Sequence, residues 1–474
     1  MIKGIQFFGI VFFLFFGSSL AQNKSVLYDF NEIPQSLQFN PGESVPFSWF
    51  AGVPGISGVS VGVGFTGAQV NDLFANDGVD FTSKVRDRLI NRLQPNDFLN
   101  GTVQLEGFFG GFRGKNNPDN FYSFGAYLEV DMITYWPKDV AILGFQGNAG
   151  INGSAFNLAH LKARGDAVSV YHIGLNKSLK NGWTMGARAK LYSGIVNFTS
   201  THNSGRLVTS SGQNNSIRTS IVADMQLQTS GFGWLFNEGD LSDNSFKKRA
   251  LFGGDLGIGF DVGFTKQLTP QWVVTASLLD VGFISHSKAV NTYSLRGSAT
   301  TEGIEIRVPD DLSTALTAWE GVVENIEELV PFAEDAESYV SFRPAKMYAS
   351  VRYNFGQPKG NGAVVDCDCR AKGNQQSSVF EYTSAVGGQL YMIQRPRGPQ
   401  AAITGFFQHR LGNNFSVKGT LTADAYTATN IGLGMSLKTG PLQFYAMADN
   451  LLGYRDLSKS QYASLQVGVN VLSW

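Results

Sequence analysis

The sequence predicts an all-β fold: a transmembrane antiparallel β-barrel of about 14 strands, or 16, with short helices in its loop inserts. Three observations predict it. First, the closing stretch alternates with period 2. Phe415, Val417 and Leu421 alternate with Ser416, Lys418, Thr420 and Thr422. Ile431, Leu433, Met435 and Leu437 alternate with Gly432, Gly434, Ser436 and Lys438, and Leu465, Val467, Val469 and Val471 with Gln466, Gly468 and Asn470. One face is aliphatic. The other is Gly, Ser, Thr, Gln and a few charges, as in a wall with lipid outside and a polar lumen inside. Second, 55 Gly, 37 Phe and 16 Tyr stand against only 16% charged residues, which suits closely packed strands with an aromatic outer wall. Third, the chain opens with an export signal: Lys3, an apolar run from Ile5 to Phe16, and Ser19-Leu20-Ala21 before a cleavage at Gln22. No Cys follows that run, so it is not a lipoprotein-type signal. No later stretch reaches the roughly 18 apolar residues of a spanning helix.

The expected organisation is a signal peptide at 1–21, a plug-like N-terminal segment at 22–56, and a barrel at 57–474 with inserts at 68–101, 285–345 and 357–378. The N-terminal segment is polar and turn-rich, and carries Phe39-Asn40-Pro41-Gly42. Val59, Val61, Val63 and Phe65 mark the first strand. In the insert after it, Val85, Leu89 and Leu93 recur every four residues among Lys84, Arg86, Asp87, Arg88 and Arg92, a short amphipathic helix that Pro95 ends. A hairpin follows around Lys115 to Pro118.

One element recurs and orients the barrel. Asn176 to Trp183, Thr265 to Trp272 and Gln408 to Phe415 each join two strands through a tight turn, with an apolar Leu and then an aromatic. Short turns belong on the periplasmic side, so Trp183, Trp272 and Phe415 are expected in the inner aromatic girdle. A soluble β-protein with ordinary hairpins is the competing reading. Strand directions agree except at one point: Ile217 to Thr229 and Asp255 to Thr265 both run downward, which leaves the count at 14 or 16. The insert at 285–345 falls outside. It carries Leu312, Leu316, Trp319, Val323 and Ile326 at helical spacing and many acidic residues, a helix whose simplest role is a solvated face over the barrel mouth.

No catalytic constellation appears. The five histidines are scattered, there is no G-x-S-x-G and no phosphate loop, and no cofactor or metal site is expected. The net charge of -1 excludes a strongly basic nucleic-acid surface. The charged candidates for the lumen are Arg188, Lys190, Asp224, Asp255, Asp261, Lys418 and Asp424. Their mixed signs favour pairing across a filled lumen over a selective open pore. Asp280 shares the outward parity of Trp272, Val274 and Leu278, and burying a carboxylate in lipid is costly. A β-bulge at Leu278-Leu279, or a place above the membrane edge, resolves it. Cys367 and Cys369 fall on the periplasmic side. A labile bridge, a bond to another exported protein, a shared soft metal and a plain loop role all stay open.

Val26-Leu27-Tyr28-Asp29-Phe30, Asn40-Pro41-Gly42, Gly257 to Phe264, Leu278 to Phe283 and Met447 to Leu451 resemble a Bacteroidota outer-membrane β-barrel family of uncharacterised function. More remotely the chain is similar to the PorP/SprF-type membrane proteins of type IX secretion, through the Asn-Pro, and to the long-chain fatty-acid transporter barrels. The resemblance implies an outer-membrane location and a barrel fold, and no transported substrate. The expected function is a non-enzymatic barrel in outer-membrane lipid that serves as a structural or partner-binding subunit among other envelope proteins. The alternative is a transporter or channel for small molecules, hydrophobic ones included.

Overall fold

The computed structural model describes residues 24–136, 138–146, 155–211, 217–232, 243–301, 332–356 and 382–473. The signal peptide, the helix expected around residues 312–329 and the Cys367 and Cys369 loop lie outside them. Fourteen antiparallel strands close into a barrel. They are β1 (Trp49–Gly52 and Val59–Phe65), β2 (Phe98–Arg113), β3 (Asn120–Tyr135), β4 (Ala163–Leu179), β5 (Trp183–Ser211), β6 (Asp255–Gln267) and β7 (Trp272–His286). The second half is β8 (Lys346–Phe355), β9 (Ser384–Arg395), β10 (Gly398–Leu411), β11 (Phe415–Ala423), β12 (Asn430–Thr439), β13 (Leu442–Asp449) and β14 (Tyr462–Ser473). Each wall strand pairs with its sequence neighbours, and β14 closes the wall on β1.

Burial along each strand decides between the two readings of the alternation. On β11, Ser416, Lys418, Thr420 and Thr422 are buried while Leu421 is 55% exposed. On β6, Ile258, Phe260 and Val262 are exposed and Asp261 is 0% exposed. A soluble sandwich would bury the aliphatic side. This wall hides its polar side and presents Val, Leu and Phe outward, the arrangement lipid requires.

The conflict in strand direction has a physical cause. Only the first part of β5, Trp183 to Gly194, pairs with β6. Its second part, from Asn197, rises out of the wall and pairs with Ile217–Ser230. That strand in turn pairs with Val290–Thr301, the continuation of β7 beyond His286. Ile217–Ser230 is therefore not a wall strand. It descends to the rim, and β6 continues downward from there, so two consecutive strands share one direction and the wall holds 14.

The first strand is also longer than its pattern indicates. Trp49–Gly52 already pairs with β14 and β2, so the wall begins at Trp49 rather than at residue 57. Pro54-Gly55 interrupts the alternation, and residues 53–58 form a hump whose Val53 N–H and Ile56 carbonyl keep the ladder to Val469. The short helical insert is present as Phe81–Lys84 continued by a wider turn at Val85–Ile90, with Val85, Leu89 and Leu93 buried.

Candidate functional site

The interior of the barrel is filled, and its filling is built in layers. At the short-turn end, residues 24–48 fold back into the lumen. A 3-10 turn at Pro34–Gln38 begins with proline, whose fixed φ suits a first helical position. Tyr28, Phe30 and Ile33 are buried against Leu279, Tyr348, Tyr391 and Met447 of the wall, with Tyr28 stacked on Tyr348 at 4.8 Å. Polar anchors reach almost every side. Asp29 meets Arg352 at 2.8 Å and Ser350 at 2.9 Å. Glu32 meets Arg410 at 2.8 Å and accepts from Ser416. Gln35 and Gln38 donate to the buried Glu106 at 3.1 and 2.8 Å, and Gln389 and Lys418 donate to the Tyr28 carbonyl.

The Asn40-Pro41-Gly42 turn has its own seat. Asn40 Oδ1 accepts from the Gly42 N–H at 2.9 Å, and Asn176 donates to the carbonyls of Pro41 and Glu43 at 2.7 and 2.8 Å. The turn lies flat on Gly186 of β5 and Gly263 of β6, which face each other in register. A Cβ at Gly186 would sit 1.9 Å from the Pro41 carbonyl oxygen, and one at Gly263 2.1 Å from Asn40 Oδ1. Only glycine leaves room for the main chain of the segment there.

Above this segment an ion lattice crosses the lumen. Asp261 holds Arg188 at 2.7 Å and Lys190 at 2.9 Å. Lys190 also meets Asp280 at 2.5 Å, Asp280 meets Lys346 at 2.9 Å, and Lys346 meets Glu129 at 2.9 Å. Arg343 joins Glu129 at 3.0 Å and Asp166 at 3.4 Å, and Arg395 pairs with Asp131. Glu129 and Asp131 stand on β3, whereas Lys346 and Arg395 stand on β8 and β9, with β4 to β7 between them along the wall. These pairs therefore join facing walls. Arg188 also donates to the Gln38 carbonyl at 2.5 Å and ties the lattice to the segment below.

Of the charges singled out from the sequence, Arg188, Lys190 and Asp261 belong to this lattice. Lys418 is fully buried lower down, on the Tyr28 carbonyl and over the Phe406 ring at 4.4 Å. Asp255 sits at the rim, pairing with His286 at 3.1 Å and Arg249 at 3.3 Å and accepting from the N–H groups of Ser287 and Lys288. Asp424 caps the turn after β11 through Tyr426 and Thr427 N–H. Asp224 is placed elsewhere: it lies on the strand above the wall, 46% exposed, paired with Arg296 at 3.0 Å. Its strand follows the right alternation but leaves the barrel. Trp183, Trp272 and Phe415 each open an upward strand at the short-turn end. Trp183 lies 5.5 Å from Phe264 and Trp272 5.0 Å from Tyr353. Asp280 takes a φ of 58° beside a register shift between Leu278 and Val281, which turns its carboxylate inward.

Glu129, Asp131, Asp280, Lys346 and Arg395 were not singled out as lumen charges. A signal for Glu129 and Asp131 exists: they share the inward parity of Tyr127 on a predicted strand. Arg343 precedes Pro344 between strands and offers no parity to read. Among the described residues no group of three or more His, Cys, Asp or Glu is arranged to hold a metal ion.

Glu43 is 1% exposed, and its Oε2 has no hydrogen-bond partner among the described residues. Burial, with Asp29 adding, pushes its carboxyl up to about 8, against the pull of Arg352 and Lys418. A raised carboxyl binds its proton in the seated state and loses it in the unseated one. Seating is therefore strongest below the ordinary Glu value and weakens as pH rises through about 8. Protease cleavage within residues 24–48 should increase between pH 6 and 9, a dependence that Glu43→Gln should flatten.

Among solved structures the chain is similar to a FadL homologue from Pseudomonas aeruginosa, with TM-score 0.41 and 9% identity over 95% of each chain. It is also similar to the Pseudomonas putida toluene transporter TodX, with TM-score 0.35 and 10% identity over 96% of this chain and 94% of that one. A third likeness is the translocator domain of autotransporter NalP from Neisseria meningitidis, with TM-score 0.30 and 8% identity over 91% and 90%. No curated protein sequence matches. Residues 41–449, most of the wall together with Pro41 and Gly42, match the family of unknown function DUF5723, and the chain belongs to that family.

Proposed function

We propose that this protein is an outer-membrane channel for small molecules, closed at rest, which conducts when the N-terminal segment and the ion lattice above it give way. It reaches the membrane by export and cleavage before Gln22, with its short turns in the periplasm and its long loops outside. The observation that carries the reading is the chemistry of the filling. Ion pairs taken out of water are often no more stabilising than apolar side chains of equal volume. A barrel that served only as a wall could be filled with aliphatic residues. This one keeps Glu129, Asp131, Asp166, Asp261 and Asp280 inside, each matched by a cation, a lining that water enters readily once the walls part. Among the described residues the inward face of β8 to β10 is mixed, with Ser350, Arg352, Gln389 and Thr404 alternating in space with Tyr348, Tyr391 and Ala402, a lining suited to small polar or amphipathic molecules.

Planar-bilayer recording tests this reading. The mature chain should be nearly silent, with brief openings, whereas a chain lacking residues 22–48 should conduct steadily. Silence from both, with each still showing heat-modifiable migration, would overturn the channel reading. It would return the protein to the role of a subunit that binds envelope partners. The strands Ile217–Ser230 and Val290–Thr301, standing above the wall, favour that second reading.

A further inference from the structure

At the long-loop end, above the inward-facing cluster of Phe98, Tyr135, Tyr426 and Tyr462, lies a cavity of about 690 Å³ whose lining shares no residue with the N-terminal segment or the ion pairs of the lattice. Its size is that of an ordinary small-molecule site. It sits between the β11–β12 loop, the β13–β14 loop and Gln69 beyond β1.

The cavity is built rather than left over. Tyr426 lines it, 7% exposed and stacked on Tyr462 at 4.8 Å. A Cβ at Gly64 would fall 2.3 Å from that ring, so the strand beside it has no side chain and the ring is held close. Asn450 takes a φ of 55° and donates from Nδ2 to Ser460 Oγ at 2.8 Å and to the Tyr462 carbonyl at 2.7 Å. Its own N–H donates to Asn430 Oδ1 at 2.6 Å. The two loops are thereby pinned to each other and to β12.

The lining chemistry is specific. Lys459 is matched by Asp456 at 3.0 Å. Asp424, beneath, is taken up by the Tyr426 and Thr427 N–H groups and by Asn430 at 3.1 Å. Arg455 is exposed and makes no ion pair or hydrogen bond among the described residues. One guanidinium is thus in surplus. Around it stand the amides of Gln69 and Gln461 and the hydroxyl of Thr427, with Tyr426 as the apolar part. A planar guanidinium takes a carboxylate or phosphate through two parallel hydrogen bonds. Amides and hydroxyls take hydroxyls, and a tyrosine ring takes the C–H face of a small ring.

We propose that this cavity binds an anionic sugar: a hydroxyl-rich ring carrying one carboxylate or phosphate, either free or as the headgroup of a glycolipid in the surrounding leaflet. The site does not depend on the channel reading, since its occupancy is measured without conductance.

Isothermal titration of the detergent-solubilised full chain tests it, with glucuronate, glucose 1-phosphate, glucose and inorganic phosphate as probes. Both anionic sugars should bind. Glucose, without the charge-assisted pair, and inorganic phosphate, without the ring, should each bind at least about tenfold more weakly. Arg455→Ala should bring glucuronate down to the level of glucose and leave glucose itself unchanged, a pattern that misfolding cannot produce. Equal affinity for glucose and glucuronate would overturn the proposal. So would phosphate binding as tightly as glucose 1-phosphate, or indifference to Arg455→Ala. No heat from either anionic sugar, with heat-modifiable migration intact, would overturn it as well. Repeating the glucuronate titration in vesicles with and without lipopolysaccharide identifies the source. Competition by the lipid assigns the site to a headgroup, and unchanged affinity assigns it to a free sugar.

Discussion

Gly186→Val should open the barrel. The valine Cβ has no room beside the Pro41 carbonyl oxygen, only 1.9 Å from where it would stand, and the obstructing atom is backbone that cannot rotate aside. Gly263→Val drives the same turn away from the other half of the notch. Overpacking of a close contact costs about 1–3 kcal/mol, which shifts the balance of seated to unseated segment by about fivefold or more. The wall itself is spared, because both glycines are paired strand residues with ordinary backbone angles. Bilayer recordings should show open time rising by at least that factor, together with faster protease cleavage inside residues 24–48. An unchanged, silent barrel would show that the Asn40-Pro41-Gly42 seat does not hold the segment. Gly405→Val, at a position where an added Cβ meets nothing within 4 Å, is the matched control and should leave conductance unchanged.

The second large effect is expected from Glu129→Ala. This substitution leaves Arg343 and Lys346 buried without their shared carboxylate. Removing one partner of a buried pair costs about 3–5 kcal/mol. The lower end of that range is expected here, because Lys346 keeps Asp280 at 2.9 Å and Arg343 keeps Asp166 at 3.4 Å. Urea titration of barrels folded in vesicles should show the midpoint fall with the slope unchanged. Adding Lys346→Met should recover part of the loss, since it removes one of the two stranded cations. If the double variant loses as much as the two single losses added together, Glu129 and Lys346 do not act as a pair, and the walls are not joined through them.

Both experiments depend on contacts that no single strand contains, and this marks the limit of the sequence. Wall polarity is local: on β11 and β6 each residue's parity alone assigns it to lipid or lumen, because neighbouring side chains on a strand must point oppositely. The mixed signs of Arg188, Lys190 and Asp261 were legible as a paired interior for the same reason. Where local pattern and path diverge, parity misleads. Asp224 alternates correctly on a strand that has already left the wall, and Trp49–Gly52 is hidden from pattern by the hump at Pro54-Gly55. Asp280 shows the converse, since one extra residue at a bulge reverses its face.

By itself the sequence determined the all-β wall, its outward apolar face and the grouping of short turns at one end, because a period of two and a tight turn are properties of adjacent residues. Only the tertiary structure decided which charges meet. Glu129 and Lys346 lie 217 residues apart and on strands that are not neighbours, yet they come to hydrogen-bonding distance. Asn40 fits Gly263 because the chain turns back into its own lumen. Such partners follow from closure of the barrel and its strand stagger, a condition on all 14 strands together that no window of sequence carries.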